Sequence, residues 1–284
     1  MKIAILGTGN MGSAFAEGLL KSGNELIVYN RSKEKTETVV SLGAVAVNTP
    51  ELAIKEADAV ILVLTDASSL KKVLLNEESK KVLQGKKILN ASTTSPADLA
   101  EIELEVRQNG GSLAEISIMV GAEQLRSNEA HFILGCSEED ESFWSEILSG
   151  VGAFVRAGKT GDASIAEQPM LFASMFTNIA TAYSVAVTSK LGLSNEAISQ
   201  FVTMAIPGSE YVLPNMLSKD HNSVMASIEG FQGVARSVIE SAKSIGVPTK
   251  ILEAMDEIYT VAADRGYAHK DGSAIVEVLL SPEN

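Results

Sequence analysis

Gly7-Thr8-Gly9-Asn10-Met11-Gly12 follows the apolar run 3–6 without a break. It opens a stretch in which Met11, Ala14, Phe15, Gly18 and Leu19 recur at helical spacing up to Gly23. A strand that passes into a helix through three glycines leaves few folds open. The first glycine permits the tight turn, the second brings the backbone close to whatever the loop holds, and the third lets helix and strand pack. The helix N-terminus offers N–H groups to an anion, and the spacing is that of a loop cradling a dinucleotide's pyrophosphate.

Strand-length apolar runs recur at 3–6, 25–29, 44–47, 59–64, 87–90, 113–118, 131–134 and 153–155, with helical patterns between them. This alternation predicts an α/β fold, with a doubly wound and mostly parallel sheet. Thr49-Pro50 and Ser95-Pro96 each put a hydroxyl at an expected N-cap and a proline at the first helical position. From about residue 162 the alternation stops, and helical patterns run over 163–190, 195–204, 227–245 and 249–264. Gly192, Pro207-Gly208 and Gly246-Val247-Pro248 punctuate them. The expected organisation is a nucleotide-binding domain over 1–161 and an all-α domain over 162–284. The long 163–190 helix joins the two.

The 284 residues suit about two domains. With 23 Lys and Arg against 36 Asp and Glu, the net charge of −13 repels phosphate backbones, so no nucleic-acid partner is expected. The longest uninterrupted apolar stretch, 59–64, falls far short of the roughly 20 residues that span a bilayer, so no membrane partner is expected. Cys136 is the lone cysteine, which suits a reducing compartment, and it lies in an apolar run where a buried thiol is the ordinary outcome. The start reaches Gly7 too soon for a signal-peptide core, so the cytoplasm is the expected location.

The second strand ends Val28-Tyr29-Asn30-Arg31-Ser32, where an NAD enzyme usually carries an acid for the ribose 2′-hydroxyl. Here there is none. Asn30 leaves room for a 2′-phosphate, Arg31 can meet it with a planar fork of donors, and Ser32 and Lys35 add a hydroxyl and a charge. NADP is therefore the expected cofactor, held by Gly7, Gly9, Asn10, Met11 and Gly12 together with these four residues. Ligands of open α/β sheets sit outside the carboxyl ends of the strands. That selects Leu64-Thr65-Asp66 and Asn90-Ala91-Ser92-Thr93-Thr94, with Leu64, Thr65, Ser92 and Thr93 as candidates near a nicotinamide and its ribose. Local hydrogen bonding competes for Ser92 and Thr93.

These residues resemble the 6-phosphogluconate dehydrogenase-like NADP-binding domain of the β-hydroxyacid dehydrogenase superfamily, which includes the imine reductases. The glycine loop with its Met11, the triplet Asn30-Arg31-Ser32 and the stretch Asn90 to Pro96 carry the likeness, and the tail Gly266-Tyr267-Ala268-His269-Lys270-Asp271-Gly272-Ser273-Ala274 is similar to the family's closing motif. The resemblance implies a Rossmann domain, a long interdomain helix, and a helical C-terminal domain that makes a homodimer.

The substrate motifs depart from the hydroxyacid branch. Where that branch has a Ser-Gly-Gly turn that grips a carboxylate, this chain has Met119-Val120-Gly121 after Glu115-Ile116-Ser117-Ile118. The family's catalytic lysine, and the asparagine four residues on, line up with Glu167 and Leu171. The Lys-Asp pair of the helical domain falls near Gly233-Val234. A carboxylate substrate in a dry site beside Glu167, without Lys or Arg, would cost several kcal/mol. The expected small-molecule substrate is neutral or cationic, and Glu167 is the catalytic candidate, as proton donor or cation partner. The helix dipole alone also favours an acid in that first turn.

Three functions follow. The first is NADPH-dependent reduction of a C=N or C=O carbon, in the manner of an imine reductase. The second is a β-hydroxyacid or semialdehyde dehydrogenase with altered anchors. The third is an NADP-binding sensor without turnover. Tyr211 is weighed as a core residue before a site residue, and the scattered His131, His221 and His269 give a metal no support.

Overall fold

The computed structural model describes residues 1–281. Every strand-length run forms a strand: β1 (Lys2–Leu6), β2 (Glu25–Tyr29), β3 (Val45–Ala46), β4 (Ala59–Leu62), β5 (Lys87–Asn90), β6 (Ser112–Ile118), β7 (Ala130–Gly135) and β8 (Gly152–Gly158). Among the described residues they join one sheet in the order β3-β2-β1-β4-β5-β6-β7-β8. All neighbours run parallel except β6 and β7. The order reverses at β1, which pairs β2 on one side and β4 on the other, and so creates the crevice where such sheets bind ligands.

Alternating side chains explain why the β1 run is apolar throughout. Ile3 and Ile5 enter one core with Phe15, Leu19, Phe132 and Trp144, while Ala4 and Leu6 enter another with Ile54, Leu70 and Leu99. Both faces of β1 are covered, as a parallel sheet requires. Cys136 is buried on the first face. Of the two expected hydroxyl caps, Ser95 accepts the Asp98 N–H at 3.2 Å. Thr49 does not cap; its Oγ1 is buried without a partner.

The chain divides into a unit ending at Glu167 and one beginning at Gln168, somewhat later than the expected boundary at 161. The reason is local. The short helix Asp162–Ala166 stays with the sheet because the N–H groups of Ala163 and Ser164 hold the side chain of Glu115 on β6. The expected continuous 163–190 helix is also interrupted: Asp162–Ala166 is followed by Gln168–Lys190, with Glu167 between them. Pro169 has no N–H for the Ile165 carbonyl, and its ring crowds that carbonyl.

In the second unit, Gln168–Lys190, Asn195–Ala205, Ile228–Ser244 and Lys250–Ala262 form the expected helices. Met175, Val185, Ile198, Val238, Met255 and Tyr259 share its core. By length and apolarity the run Asp162–Lys190 would pass for a membrane span, which counting uninterrupted apolar residues overlooks. Yet Gln168–Lys190 buries polar Asn178 and Thr181 among its inward residues, and Asn178 accepts the Tyr259 hydroxyl at 3.1 Å. The closing motif acts as a turn lock: Asp271 accepts the N–H groups of Ser273 and Met225, each at 3.0 Å.

Candidate active site

The three glycines divide their work as the spacing predicts. Gly7 has φ +106°, and a Cβ there would collide with the Val63 carbonyl; a Cβ on Gly12 would strike the Gly7 carbonyl. Gly9 faces open space, with nothing within 4 Å of where its Cβ would be. Gly9 also starts the Asn10–Lys21 helix without a side-chain cap, so the first N–H groups remain for an anion. Beside them the Thr8 hydroxyl is buried without a partner among the described residues. An uncapped helix start, an open glycine face and an orphaned hydroxyl together fit the pyrophosphate of a dinucleotide.

Asn30 does more than leave room. Its Oδ1 accepts the Thr8 N–H at 3.1 Å and its Nδ2 donates to the Ser32 carbonyl at 2.9 Å. The amide therefore ties the glycine loop to the loop after β2, and Gly7 N–H adds a bond to the Tyr29 carbonyl at 2.8 Å. Arg31 and Lys35 are exposed beside it, while Ser32 is half-buried. Met11 is half-buried at the helix start, and Asn10 is exposed there. Arg126, which sequence reasoning missed, donates to Asn10 Oδ1 at 3.4 Å and pairs with Glu17 at 3.1 Å. Only proximity in the fold could have shown it.

After β4 and β5 the two loops are stitched together. The Ser92 hydroxyl accepts the Leu64 N–H at 2.8 Å, and Asn90, almost fully buried, accepts the Ser92 N–H at 3.0 Å and donates to the Thr94 hydroxyl at 3.1 Å. Ser92 thus shapes the loop that carries Leu64, rather than turning its hydroxyl outward. Thr93 and Thr65 are the exposed hydroxyls at these strand ends, and Leu64 is half-buried.

Glu167 is half-buried, and its carboxylate accepts the Ser117 hydroxyl of β6. Burial pushes this carboxyl above the usual glutamate range; the Ser117 hydrogen bond opposes the shift and the nearby Glu115 charge adds to it. Ser117 bonds the candidate acid, Glu115 sets its charge against it and Ser164 holds Glu115, and sequence reasoning assigned these three no role. A lone acid inside the buried strand Leu113-Ala114-Glu115-Ile116 was the available signal. Among the described residues no Lys or Arg pairs with Glu115 or Glu167. Tyr211 is 66% exposed and so is no core residue of its unit. Buried His221 meets Ser273 at 2.8 Å, while His131 and His269 are exposed.

The model of the NAD binding domain of 6-phosphogluconate dehydrogenase matches residues 2–161. The chain belongs to the β-hydroxyacid dehydrogenase superfamily. It is similar to the probable mitochondrial 3-hydroxyisobutyrate dehydrogenase of Dictyostelium discoideum, 24% identical over 98% of this chain and 90% of that one. Its fold matches the crystal structure of 3-hydroxyisobutyrate dehydrogenase from Salmonella typhimurium at TM-score 0.85 and 20% identity, over 98% of this chain and 99% of that one. It also matches an imine reductase from Myxococcus stipitatus in complex with NADP+, at TM-score 0.70 and 23% identity, over 99% and 100% of the two chains. As a superfamily member, the chain is an NAD(P)-dependent oxidoreductase with a nicotinamide cofactor on its first unit.

Proposed function

We propose that this superfamily member is an NADPH-dependent reductase of a C=N or C=O bond, with imines as its first substrates. One observation carries the reading: a half-buried carboxyl, Glu167, stands where the resemblance sets a lysine, and among the described residues no Lys or Arg pairs with it. Bound NADPH supplies the hydride to the carbon of the double bond. Glu167 gives its proton to the nitrogen or oxygen, and the carboxylate left behind recovers a proton from solvent. Its Ser117 hydrogen bond fixes the carboxyl's direction. An iminium is drawn to such a site, whereas a carboxylate substrate would be repelled.

The choice of NADPH over NADH is supported by the missing acid after β2 and by exposed Arg31 and Lys35 beside the braced Asn30. A stripe of exposed Phe176, Tyr183 and Val187 on one face of Gln168–Lys190 supports a homodimer in the cytoplasm, where the lone buried Cys136 has no oxidative role.

A second reading, a dehydrogenase of small hydroxyacids or semialdehydes, is favoured by the name of the Dictyostelium relative. NADPH oxidation by the purified protein with a cyclic imine, with ketone plus amine, and with small semialdehydes separates the two. Turnover of imines is the expected result. Turnover of semialdehydes alone supports the second reading, and NADPH binding without any turnover would leave a sensor.

A further inference from the structure

β6 reads Leu113-Ala114-Glu115-Ile116-Ser117-Ile118, and alternate residues of a strand share a face, so Glu115 and Ser117 point the same way. Both are buried. Gly135 lies opposite Glu115 in the antiparallel register, and a Cβ there would stand 2.9 Å from Glu115 Oε1. The glycine vacates the volume that the carboxyl fills. Glu115 Oε1 then accepts the Ala163 N–H at 2.9 Å and the Ser164 N–H at 3.2 Å, while Oε2 accepts the Ser164 hydroxyl.

One helical turn further on, the Glu167 N–H donates to the Ala163 carbonyl at 3.0 Å, so Glu167 hangs from the same side as the groups that hold Glu115. Its carboxyl takes the hydroxyl of Ser117, the next residue along on Glu115's face of β6. The two carboxyls, Glu115 buried and Glu167 half-buried, therefore meet one face of β6, and they are unequally served. Glu115 collects the Ala163 and Ser164 N–H groups and the Ser164 hydroxyl, with the Gly161 N–H beside them, whereas Ser117 serves Glu167. Donors favour the anion, and neighbouring like charges resist ionising together.

We propose that Glu115 is a positioning residue: held as a buried anion by Ala163 and Ser164, it keeps the proton on Glu167 and so makes Glu167 an acid. The role assigned to Glu167 is that of the proposed reductase, on which this inference rests. Burial pushes the Glu115 carboxyl up as well, but hydrogen bonds from Ser164, Ala163 and Gly161 oppose the shift, whereas at Glu167 the Ser117 hydroxyl stands against burial and the Glu115 charge.

Other ionisable groups on the surrounding elements are engaged elsewhere. Asp162, on the helix of Ser164, accepts the Lys159 N–H at 3.0 Å, and the Lys159 side chain is exposed. On β8, Arg156 pairs with Glu141 and donates to the Cys136 carbonyl; burial keeps the Cys136 thiol up and neutral. On β7, His131 is exposed, and on β5, Lys87 pairs with Asp140. On the Pro96–Gln108 helix, Asp98 and Glu101 turn to Lys71 and Glu105 to Lys80, Arg107 is exposed and Glu103 half-exposed.

The test is a carbon-13 NMR titration of the full-length protein carrying carboxyl-labelled glutamate, with the two signals assigned by Glu167→Gln and Glu115→Gln. In Glu115→Gln the amide oxygen still accepts the helix N–H groups, but the charge is gone. The Glu167 midpoint should fall by about one pH unit, and the alkaline limb of kcat for imine reduction should move down with it, at unchanged KM for NADPH. Should that variant fail to fold, Ser164→Ala strips one donor from Glu115 and should move the Glu167 midpoint the same way. A Glu167 midpoint that stays in place or rises overturns the inference. The titration needs no substrate, so the two ideas fail separately. Full turnover by Glu167→Gln, alongside a shifted midpoint in Glu115→Gln, removes the reductase role and leaves the coupling.

Discussion

The side chain of Asn30 reaches from the end of β2 to the glycine loop and accepts the Thr8 N–H at 3.1 Å, while its other end donates to the Ser32 carbonyl. The glycine loop and the loop after β2 are thereby one braced unit. Asn30→Ala removes both bonds and strands the Thr8 N–H. The expected outcome is a loss of about 1–3 kcal/mol in binding, equal for NADPH and NADH by titration calorimetry. Loss for one cofactor alone would contradict the brace.

Arg31 is exposed next to that brace. Arg31→Ala should therefore weaken NADPH by about tenfold or more and leave NADH nearly untouched, as measured by the two dissociation constants. Equal weakening would place Arg31 outside 2′-phosphate recognition.

The Ser92 hydroxyl accepts the Leu64 N–H at 2.8 Å and is 7% exposed. Ser92→Ala leaves that N–H without its partner, so urea unfolding should show a loss of about 1–3 kcal/mol. A variant as stable as the parent would mean that water replaces the hydroxyl.

How far such details could be read beforehand depended on the kind of constraint. Gly7 and Gly12 were legible because only glycine survives their contacts with the Val63 and Gly7 carbonyls, and steric rules act at fixed spacing. The strands were legible because β1 is covered on both faces, so Ile3 to Leu6 are all apolar. Ser92 was ambiguous, since a serine after a strand looks the same whether it faces ligand or backbone. The helix break at Glu167 was signalled by Pro169, but the 163–190 apolar pattern masked it. Glu115 stood out as an acid inside an apolar strand, but its partners were out of reach: Ala163 and Ser164 lie 48 and 49 residues away, joined only by the fold.

Burial and the Glu115 charge raise the Glu167 carboxyl from 4.5. A raised folded value means that the group's contribution to stability is present in full below 4.5 and is lost as pH rises through the shifted value. Glu167→Gln, a neutral isostere, escapes that loss. Its Tm should draw ahead of the parent's as pH rises from 4.5 and then hold a constant lead. Parallel Tm curves across the window would contradict the shift.

The account turns on Glu167 as the proton donor, and saturating kinetics test it most directly. NADPH oxidation with a cyclic imine should fall by about 10²–10⁴-fold in Glu167→Gln, with the dissociation constant for NADPH unchanged. An undiminished rate in that variant would contradict the account.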